Sequence, residues 1–476
     1  MKDLFKTEDW WSVWIGLFVF VLSFGVFIGL DVLGWGVTTA VWLDIGKAMA
    51  PVSKAYAGMP GILSLVITYL FMLVIMSVGA KAMKLDMGRF AIGFSIIFWA
   101  SYICWLIGSY AYIAATPDKL AAFKLPWSLG LTGEAGFIVA LLAGLIIGNF
   151  FPGVADYLKE ATRPEWYIKT AIVMLGASLG VQAAGATSIA ASVMFRGFAA
   201  IVEAYLIYWA LVYFVSRKYF KFSREWAAPL ASGISICGVS AAIATGAAIR
   251  ARAVVPVMVS SLVVIFAVFE LLILPFAAQA FLYNQPMVAG AWMGLAVKTD
   301  GAAVASGTIT DSLIRARAAA EGIMYKEGWM LMTTTTVKIF IDIFIGIWAF
   351  VLSLVWVYGI DKKPGEKVDA GQIWYRFPKF VIGYFVTFLA LLLLALSSPG
   401  LIDTAKAAAG EANVFRVLFF VLTFFCIGLV SNFRKLWEEG IGKLAAVYVV
   451  CLFGFIIWIG LLISFIFFNG VMPPRA

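Results

Sequence analysis

Histidine is absent from the 476-residue sequence, and only four cysteines occur. The missing histidine removes the commonest proton carrier and metal ligand, which argues against haem, zinc and di-iron enzymes. Cys104, Cys237, Cys426 and Cys451 lie in apolar or small-residue segments without CxxC spacing, so neither a disulfide framework nor a metal site is predicted. No HExxH, GxSxG, Walker A or GxGxxG motif stands in a suitable setting. We therefore expect no enzyme and no cofactor.

Charge is also scarce, because only 13% of the residues are charged while 63% are hydrophobic. A soluble domain would carry about 25% charged residues, so the composition indicates a polytopic integral membrane protein in a lipid bilayer. The net charge of +9 comes from lysines and arginines dispersed in short loops. That distribution is typical of membrane topology, and no nucleic-acid partner is expected.

Apolar segments of about 20 residues, long enough to cross about 30 Å of hydrocarbon, recur along the chain. Positively charged loops at 81–89, 217–224, 362–379 and 434–443 are predicted to be cytoplasmic, which places the N terminus inside and the C terminus outside an inner (plasma) membrane. The fold class predicted is an all-α polytopic membrane protein. The eleven candidate spans are 11–33, 60–80, 88–114, 134–150, 169–186, 190–216, 254–283, 329–358, 379–397, 414–431 and 443–468.

Two further segments, within 227–250 and 288–312, are too polar and too rich in glycine for ordinary spans. They can be broken crossings or re-entrant hairpins. The positive-inside rule favours hairpins, because these leave Arg250 and Arg252 inside and the uncharged turn at 283–286 outside. Backbone that breaks at membrane depth is tolerated only where protein covers it or water reaches it, so two breaks predict a central binding site.

A weak internal repeat supports the same view. Residues 173–195 resemble residues 425–447, and the predicted topology runs the two in opposite directions. Inverted repeats with breaks at the midplane are typical of secondary transporters. We expect residues 131–476 to form the transporter core and residues 1–130 to form accessory N-terminal helices, with a role in scaffolding or in homodimer contact.

The first hairpin offers an anion site without a cationic side chain. Its break contains Ser235, Cys237, Gly238 and Ser240, and the half-helix that follows carries a partial positive charge at its start. We expect these four residues to bind substrate. The alternative is that the small residues only let helices pack closely.

The second hairpin carries charge at its tip, where Lys298, Thr299, Asp300 and Gly301 follow one another. A lysine and an aspartate near the bilayer centre are costly when unpaired, so they form either an ion pair or a functional site. Lys298, Thr299 and Gly301 are the substrate-binding candidates of this tip. Asp300 is a candidate for coupling to Na⁺ or H⁺.

Other acidic and basic residues lie inside predicted spans. Lys338 and Asp342 are spaced i, i+4 on one helix face, where they can serve coupling or neutralise each other. Glu270 is a further coupling candidate, since a buried glutamate that takes up a proton can carry one. Glu270 and Glu203 can instead pair with arginines of neighbouring helices.

The segment GISICGVSAA (233–242) resembles the motif of the YeiH-like family, whose members are described as sulfate exporters. The likeness extends over about 134–468 and includes GLAVKTDGAAVASG at 294–307. It implies kinship with the cation/proton antiporter and anion transporter superfamily, with inverted repeats and a scaffold beside a mobile domain. Family members tend to carry a His-Glu pair where this chain has Lys298 and Thr299. A permanently charged lysine there strengthens an anion site and removes a proton switch.

Together these observations predict a secondary transporter that moves a small anion, of the sulfate, sulfite or sulfonate class, by alternating access. Two alternatives stay open. One is a cation antiporter of the Na⁺/H⁺ type, in which Asp300 and Asp342 hold the ion, and the other is a passive anion channel.

Overall fold

The computed structural model describes residues 4–116, 119–133, 135–252, 254–360, 370–371, 374, 377–434 and 441–475. The predicted cytoplasmic loops at 362–379 and 434–443 lie partly outside the described residues, as does the turn of the second repeat. The described chain forms two compact units, unit 1 (Met1–Ser188, Arg315–Met324 and Lys379–Val430) and unit 2 (Ile189–Ile314, Tyr325–Pro378 and Ser431–Ala476). Residues 1–130 thus belong to unit 1 together with later segments.

Unit 1 is helical, apart from an antiparallel strand pair in which Val37 is the partner of Pro51. The strands are β1 (Val37–Thr39) and β2 (Met49–Pro51). The helices are α1 (Glu8–Ser23), α2 (Gly61–Ala82), α3 (Met87–Gly108), α4 (Ala111–Ala114), α5 (Leu120–Phe123), α6 (Ala135–Phe150), α7 (Pro152–Leu158), α8 (Pro164–Ala184), α19 (Phe380–Ser397) and α20 (Ile402–Val430).

Small residues set the close packing of unit 1. A Cβ on Gly176 of α8 would lie 2.5 Å from the carbonyl oxygen of Tyr384 on α19, and a Cβ on Gly144 of α6 would lie 2.1 Å from that of Phe425 on α20. Glycine therefore lets these backbones approach where lipid provides no hydrophobic driving force. The hydroxyl of Thr387 adds a hydrogen bond of 2.6 Å to the carbonyl of Val173 across the same interface.

Unit 2 holds both segments predicted to be broken. Four π-helical stretches interrupt its helices at Glu203–Tyr208, Gly233–Cys237, Val355–Ile360 and Leu452–Ile456. Helix α9 begins in unit 1, and the last residues of α16 belong to unit 1. The helices are α9 (Thr187–Gly197), α10 (Ala199–Val202), α11 (Trp209–Lys218), α12 (Arg224–Ser232), α13 (Gly238–Ala248), α14 (Val254–Phe281), α15 (Pro286–Ala296), α16 (Asp300–Ala320), α17 (Trp329–Ile343), α18 (Ile345–Leu354), α21 (Gly442–Cys451) and α22 (Ile457–Phe468).

By length and hydropathy, eleven helical stretches among the described residues are able to cross a membrane. Ten of them correspond to predicted spans, and the eleventh is Arg224–Ala248. The predicted span at 134–150 is a helix of 16 residues that bends by 112° into α7. The predicted class, an all-α polytopic membrane protein, is confirmed.

Residues Arg224–Ala248 turn back on themselves instead of running straight. The hydroxyls of Ser232 and Thr245 lie 2.6 Å apart, and Arg252 forms an ion pair of 3.0 Å with Glu225. In a continuous helix Ser232 and Thr245 would be about 20 Å apart, at about 1.5 Å per residue. Helices α12 and α13 therefore form hairpin 1, with its tip at Cys237 and Gly238. This is the form that the distribution of charge favours.

Helices α15 and α16 form hairpin 2 in the same way. The hydroxyl of Thr334 on α17 donates to the carbonyl of Gly290 at 2.7 Å. A Cβ on Gly307 would lie 2.6 Å from this hydroxyl oxygen of Thr334. Gly290 and Gly307 would be about 25 Å apart in a straight helix, so the chain folds back between them. The return helix also caps α17, because the carboxylate of Asp311 accepts the N–H groups of Gly328 and Met330 at 3.0 Å each.

Candidate functional site

The tips of the two hairpins meet inside unit 2. Tip 1 is the turn of hairpin 1 at residues 236–238, and tip 2 is the turn of hairpin 2 at residues 297–301. The thiol of Cys237 in tip 1 donates to Oδ1 of Asp300 in tip 2 at 2.7 Å. A Cβ on Gly238 would lie 3.1 Å from Cγ2 of Thr299 and 3.4 Å from the carbonyl oxygen of Lys298. All of these side chains are at most 5% exposed. The two broken segments predicted from sequence therefore build one buried site.

Gly238 is required at the tip of hairpin 1 by its backbone. Its φ angle is +33°, which residues with a side chain rarely adopt, and a Cβ there would also lie 2.7 Å from Val263 of α14. The glycine thus allows both the reversal of the chain and the close approach of tip 2.

Lys338 of α17 joins the two tips. Its ammonium group donates to the carbonyl of Ile236 in tip 1 at 2.8 Å and to that of Lys298 in tip 2 at 3.2 Å. It also lies 3.7 Å from Oδ1 of Asp300. A helix that ends leaves carbonyls without intrahelical donors, and a buried cation is a strong partner for them. Lys338 therefore neutralises the carbonyl ends of both half-helices.

The ion pair of Lys338 is made with Asp300, although Asp342 follows one turn later on its own helix. A cation that precedes an acid at i, i+4 is the less favourable order in a helix, and Asp300 belongs to the neighbouring tip. Among the described residues no hydrogen bond of normal geometry reaches either oxygen of Asp342, which is 1% exposed. Lys338 also attracts Asp342 electrostatically, so neutralisation of these two groups within α17 remains one of the two sequence interpretations.

The side chain of Lys298 contacts residues of unit 2 other than Asp300. Its ammonium group donates to the carbonyl of Leu295 and lies 4.5 Å from the ring centre of Tyr208, a cation–π contact. Its backbone N–H donates to Oε2 of Glu270 at 2.9 Å, and the hydroxyl of Tyr448 donates to Oε1 at 3.0 Å. Glu270 therefore anchors tip 2 to α14, and neither of these bonds comes from an arginine.

Glu203 is another buried acid of unit 2, and like Asp342 it has no hydrogen bond of normal geometry among the described residues. It is fully buried, and a polar neighbour of its carboxylate is the hydroxyl of Tyr208, which donates its hydrogen bond of 2.9 Å to the carbonyl of Ile456. It begins the π-helical stretch Glu203–Tyr208, and a Cβ on Gly460 of α22 would lie 3.5 Å from its Oε1. Lys298 is near enough to attract it electrostatically.

The remaining predicted substrate residues surround the tips. The hydroxyl of Thr299 accepts the N–H of Ala302 at 3.2 Å and so caps α16. Gly301 is buried in the first turn of α16, and Ser240 is half-buried in the first turn of α13. Ser235 is fully buried, and its hydroxyl has no partner among the residues that the structure describes. It is therefore free to bind a ligand.

Buried charge at the site is unbalanced. If all groups are ionised, four carboxylates face two ammonium groups, which leaves two negative charges. Such charge is costly in a low dielectric, and bound protons or cations would lower that cost. Three side-chain atoms of the site lie within 4.8 Å of one another, namely the sulfur of Cys237 and one carboxylate oxygen each of Asp300 and Asp342. The charged groups are Glu203, Glu270, Asp300, Asp342, Lys298 and Lys338, each at most 2% exposed.

Sequence reasoning missed Tyr208 and Tyr448. Both are fully buried tyrosines that contact the second tip or its anchor. In the sequence they stand in apolar spans, where a tyrosine usually indicates the membrane interface. Their polar role depends on long-range packing, and no local signal marks it.

Comparison with known proteins identifies a matching family model and relatives that are named membrane proteins. The family model "Conserved hypothetical protein 698" matches residues 125–456. A UPF0324 membrane protein of Nitrosomonas europaea is 45% identical over 475 residues, which cover 98% of this chain and 97% of that one. A UPF0324 membrane protein of Rhodopirellula baltica is 29% identical over 408 residues, 84% of this chain and 66% of that one. No solved structure matches the chain. The chain belongs to the UPF0324 family of membrane proteins.

Proposed function

We propose that the protein is a secondary transporter that moves a small anion of the sulfate, sulfite or sulfonate class by alternating access, coupled to H⁺ or Na⁺. The observation that carries the proposal is the meeting of two re-entrant hairpin tips in one buried, charged site. Discontinuous helices that meet at the membrane centre are the usual substrate and ion sites of such transporters.

Both return helices support binding of an anion at the tips. Helices α13 and α16 begin there, and the N–H groups of a first helical turn attract negative charge. The hydroxyl of Ser235 supplies a donor without a competing partner. Lys338 is the cation that contacts both tips, while Lys298 is held by Leu295 and Tyr208. We therefore assign the counter-charge at the tip contact to Lys338.

The excess of carboxylates supports coupling to a cation. An anion that enters a site with two surplus negative charges is repelled unless those charges are neutralised. Protonation, or binding of Na⁺, at Asp300, Asp342 or Glu203 supplies that neutralisation. Each oxygen of Glu270 already accepts one hydrogen bond, from the N–H of Lys298 and from the hydroxyl of Tyr448, so we assign Glu270 the positioning of tip 2.

The proposal is tested by exchange of radioactive sulfate and sulfite into liposomes that contain the purified protein. We expect saturable uptake that unlabelled anion inside the liposomes accelerates, which a passive channel does not show. Ser235→Ala should lower the rate by more than about tenfold, since a hydrogen bond to a charged group is worth about 1.5–3 kcal/mol. Ser261→Ala is the matched control, because Ser261 is exposed and bonds only to Val257 of its own helix. Absence of oxyanion exchange, or equal rates for the two variants, would overturn the proposal.

A second candidate is cation/proton antiport, and the ratio of four carboxylates to two lysines favours it. In this function Lys338 competes with the ion for Asp300, from which it is 3.7 Å away. A pH-sensitive dye inside the liposomes distinguishes the two functions. Antiport predicts that Na⁺ moves protons with no transportable anion present, whereas anion transport predicts proton movement only after sulfate or sulfite is added.

A further inference from the structure

Three potential metal ligands converge between the two hairpin tips and α17. They are the thiol of Cys237, the carboxylate of Asp300 and the carboxylate of Asp342, and they come from three different elements. One ligand atom from each lies within 4.8 Å of the other two. The three residues are 3%, 2% and 1% exposed. The arrangement is thus a compact, dry set of one sulfur and two carboxylate ligands.

Asp342 provides a second and independent indication of a ligand. Its carboxylate is inside this cluster, yet no hydrogen bond of normal geometry reaches either oxygen from the part of the chain described. Lys338 attracts Asp342 electrostatically, but its ammonium group donates hydrogen bonds to the carbonyls of Ile236 and Lys298 and forms its ion pair of 3.7 Å with Asp300. A buried carboxylate without a donor costs several kcal/mol. A bound cation removes that cost.

The types of ligand indicate the class of cation. Carboxylates alone suit Mg²⁺, Ca²⁺ or Mn²⁺, whereas a thiolate favours softer ions such as Zn²⁺. Three protein ligands with a fourth position open is the pattern of zinc sites that exchange a ligand. The charge of the site also favours a divalent ion. The thiolate, the two carboxylates and the ammonium group of Lys338 together carry a charge of −2, which a divalent cation neutralises. Binding then releases the proton of the Cys237 thiol, together with any proton that Asp300 or Asp342 carries in the metal-free site.

We propose that Cys237, Asp300 and Asp342 form a binding site for a divalent first-row transition-metal ion such as Zn²⁺. The three ligands are 63 and 42 residues apart in the sequence, which is why ligand spacing predicts no metal site. The proposal goes beyond anion transport, and it concerns binding alone.

Cobalt is the appropriate probe, because Co²⁺ occupies zinc-type sites and absorbs light when a thiolate binds it. Purified full-length protein in detergent is titrated with Co²⁺. We expect a thiolate-to-cobalt charge-transfer band in the near ultraviolet, d–d bands in the visible range, and release of at least one proton per metal ion. Zn²⁺ should abolish the bands, since nitrogen, oxygen and sulfur sites bind Zn²⁺ more tightly than Co²⁺.

Variants assign the site. Cys237→Ser should abolish the charge-transfer band, and Asp342→Asn should weaken Co²⁺ binding by more than about tenfold, because even an outer-shell partner is worth about 10- to 100-fold. Cys451→Ser is the matched control, since Cys451 is also a free, buried cysteine of unit 2, and it should retain the band. Elution from a sizing column as for the wild type shows that each variant is folded.

Two results would overturn the proposal, namely absence of a band in the wild type and a band that survives in Cys237→Ser. If Cys237→Ser does not fold, Asp342→Asn decides, because unchanged Co²⁺ affinity in that variant also overturns it. Failure of sulfate and sulfite exchange leaves these spectra unaffected. The metal site and anion transport can therefore fail separately.

Discussion

The ammonium group of Lys338 donates a hydrogen bond of 2.8 Å to the carbonyl of Ile236, a residue 102 positions earlier in the chain. The bond runs from the middle of α17 to the tip of hairpin 1. The same ammonium group reaches the carbonyl of Lys298 in hairpin 2. One buried cation therefore holds both breaks of the backbone together, which makes Lys338 a central structural residue of unit 2.

Removal of that cation should destabilise the protein severely. Lys338→Met preserves the length of the side chain but leaves Asp300 and two carbonyls without their partner. We expect a loss of about 3–5 kcal/mol in the free energy of unfolding, as for other broken buried ion pairs. Thermal unfolding in detergent measures it. Lys406→Ala, which breaks an exposed pair with Asp403, is the control and should change little. Equal stability of the two variants would show that Lys338 does not bridge the tips.

The anchor of tip 2 is tested by removal of one hydroxyl. Tyr448→Phe deletes the donor to Oε1 of Glu270 and leaves a buried acceptor unsatisfied, at a cost of about 1–3 kcal/mol. Tyr219→Phe is the control, because Tyr219 is 66% exposed and loss of its hydroxyl should not lower the melting temperature. A melting temperature of Tyr448→Phe that matches the wild type would argue against the anchor.

Contact between hairpin 2 and α17 depends on a glycine. A Cβ on Gly290 would lie 2.5 Å from the carbonyl oxygen of Met330, so Gly290→Ala forces the two backbones apart. Overpacking of this kind costs about 1–3 kcal/mol. Gly454→Ala meets nothing within 4 Å and should be neutral or slightly stabilising. The difference is measured by thermal unfolding, and equal effects of the two alanines would contradict the packing described.

Disulfide cross-linking tests whether hairpin 1 folds back on itself. Ser232→Cys together with Thr245→Cys should form a disulfide under mild oxidation, because the two hydroxyls lie 2.6 Å apart. Mass spectrometry of the digested protein detects the bridge, and each single variant serves as a control. In a continuous helix the two positions would be about 20 Å apart, and no intramolecular bridge would form.

Much of this architecture is predictable from local sequence. Hydropathy identifies ten of the eleven long apolar helices, because a span must be apolar along its whole length. Glycine and serine at 233–240 mark the break in hairpin 1, since only a flexible, polar segment tolerates it. The same reasoning predicts Lys298, Thr299 and Asp300 at the second tip, and the first two lie between α15 and α16 while Asp300 begins α16.

The partners of the buried charges are not predictable in this way. The i, i+4 spacing of Lys338 and Asp342 indicates an attraction within one helix, but it gives no sign that Lys338 also lies 3.7 Å from Asp300 of the neighbouring tip. Glu270 is satisfied by Tyr448, which is 178 residues away. Such pairs depend on how hairpins pack against distant helices, and a single sequence carries no local signal for that packing.

Access to the tips from both sides of the membrane is the most direct test of alternating access. Ser240 is half-buried beside tip 1, so Ser240→Cys offers a thiol at the site, while the four native cysteines are buried and the wild type gives the background. A membrane-impermeant thiol reagent is applied to either face of oriented liposomes, with and without sulfate. Our account predicts modification from both faces, slowed by sulfate. Modification from one face only, or a rate that sulfate does not change, would contradict it.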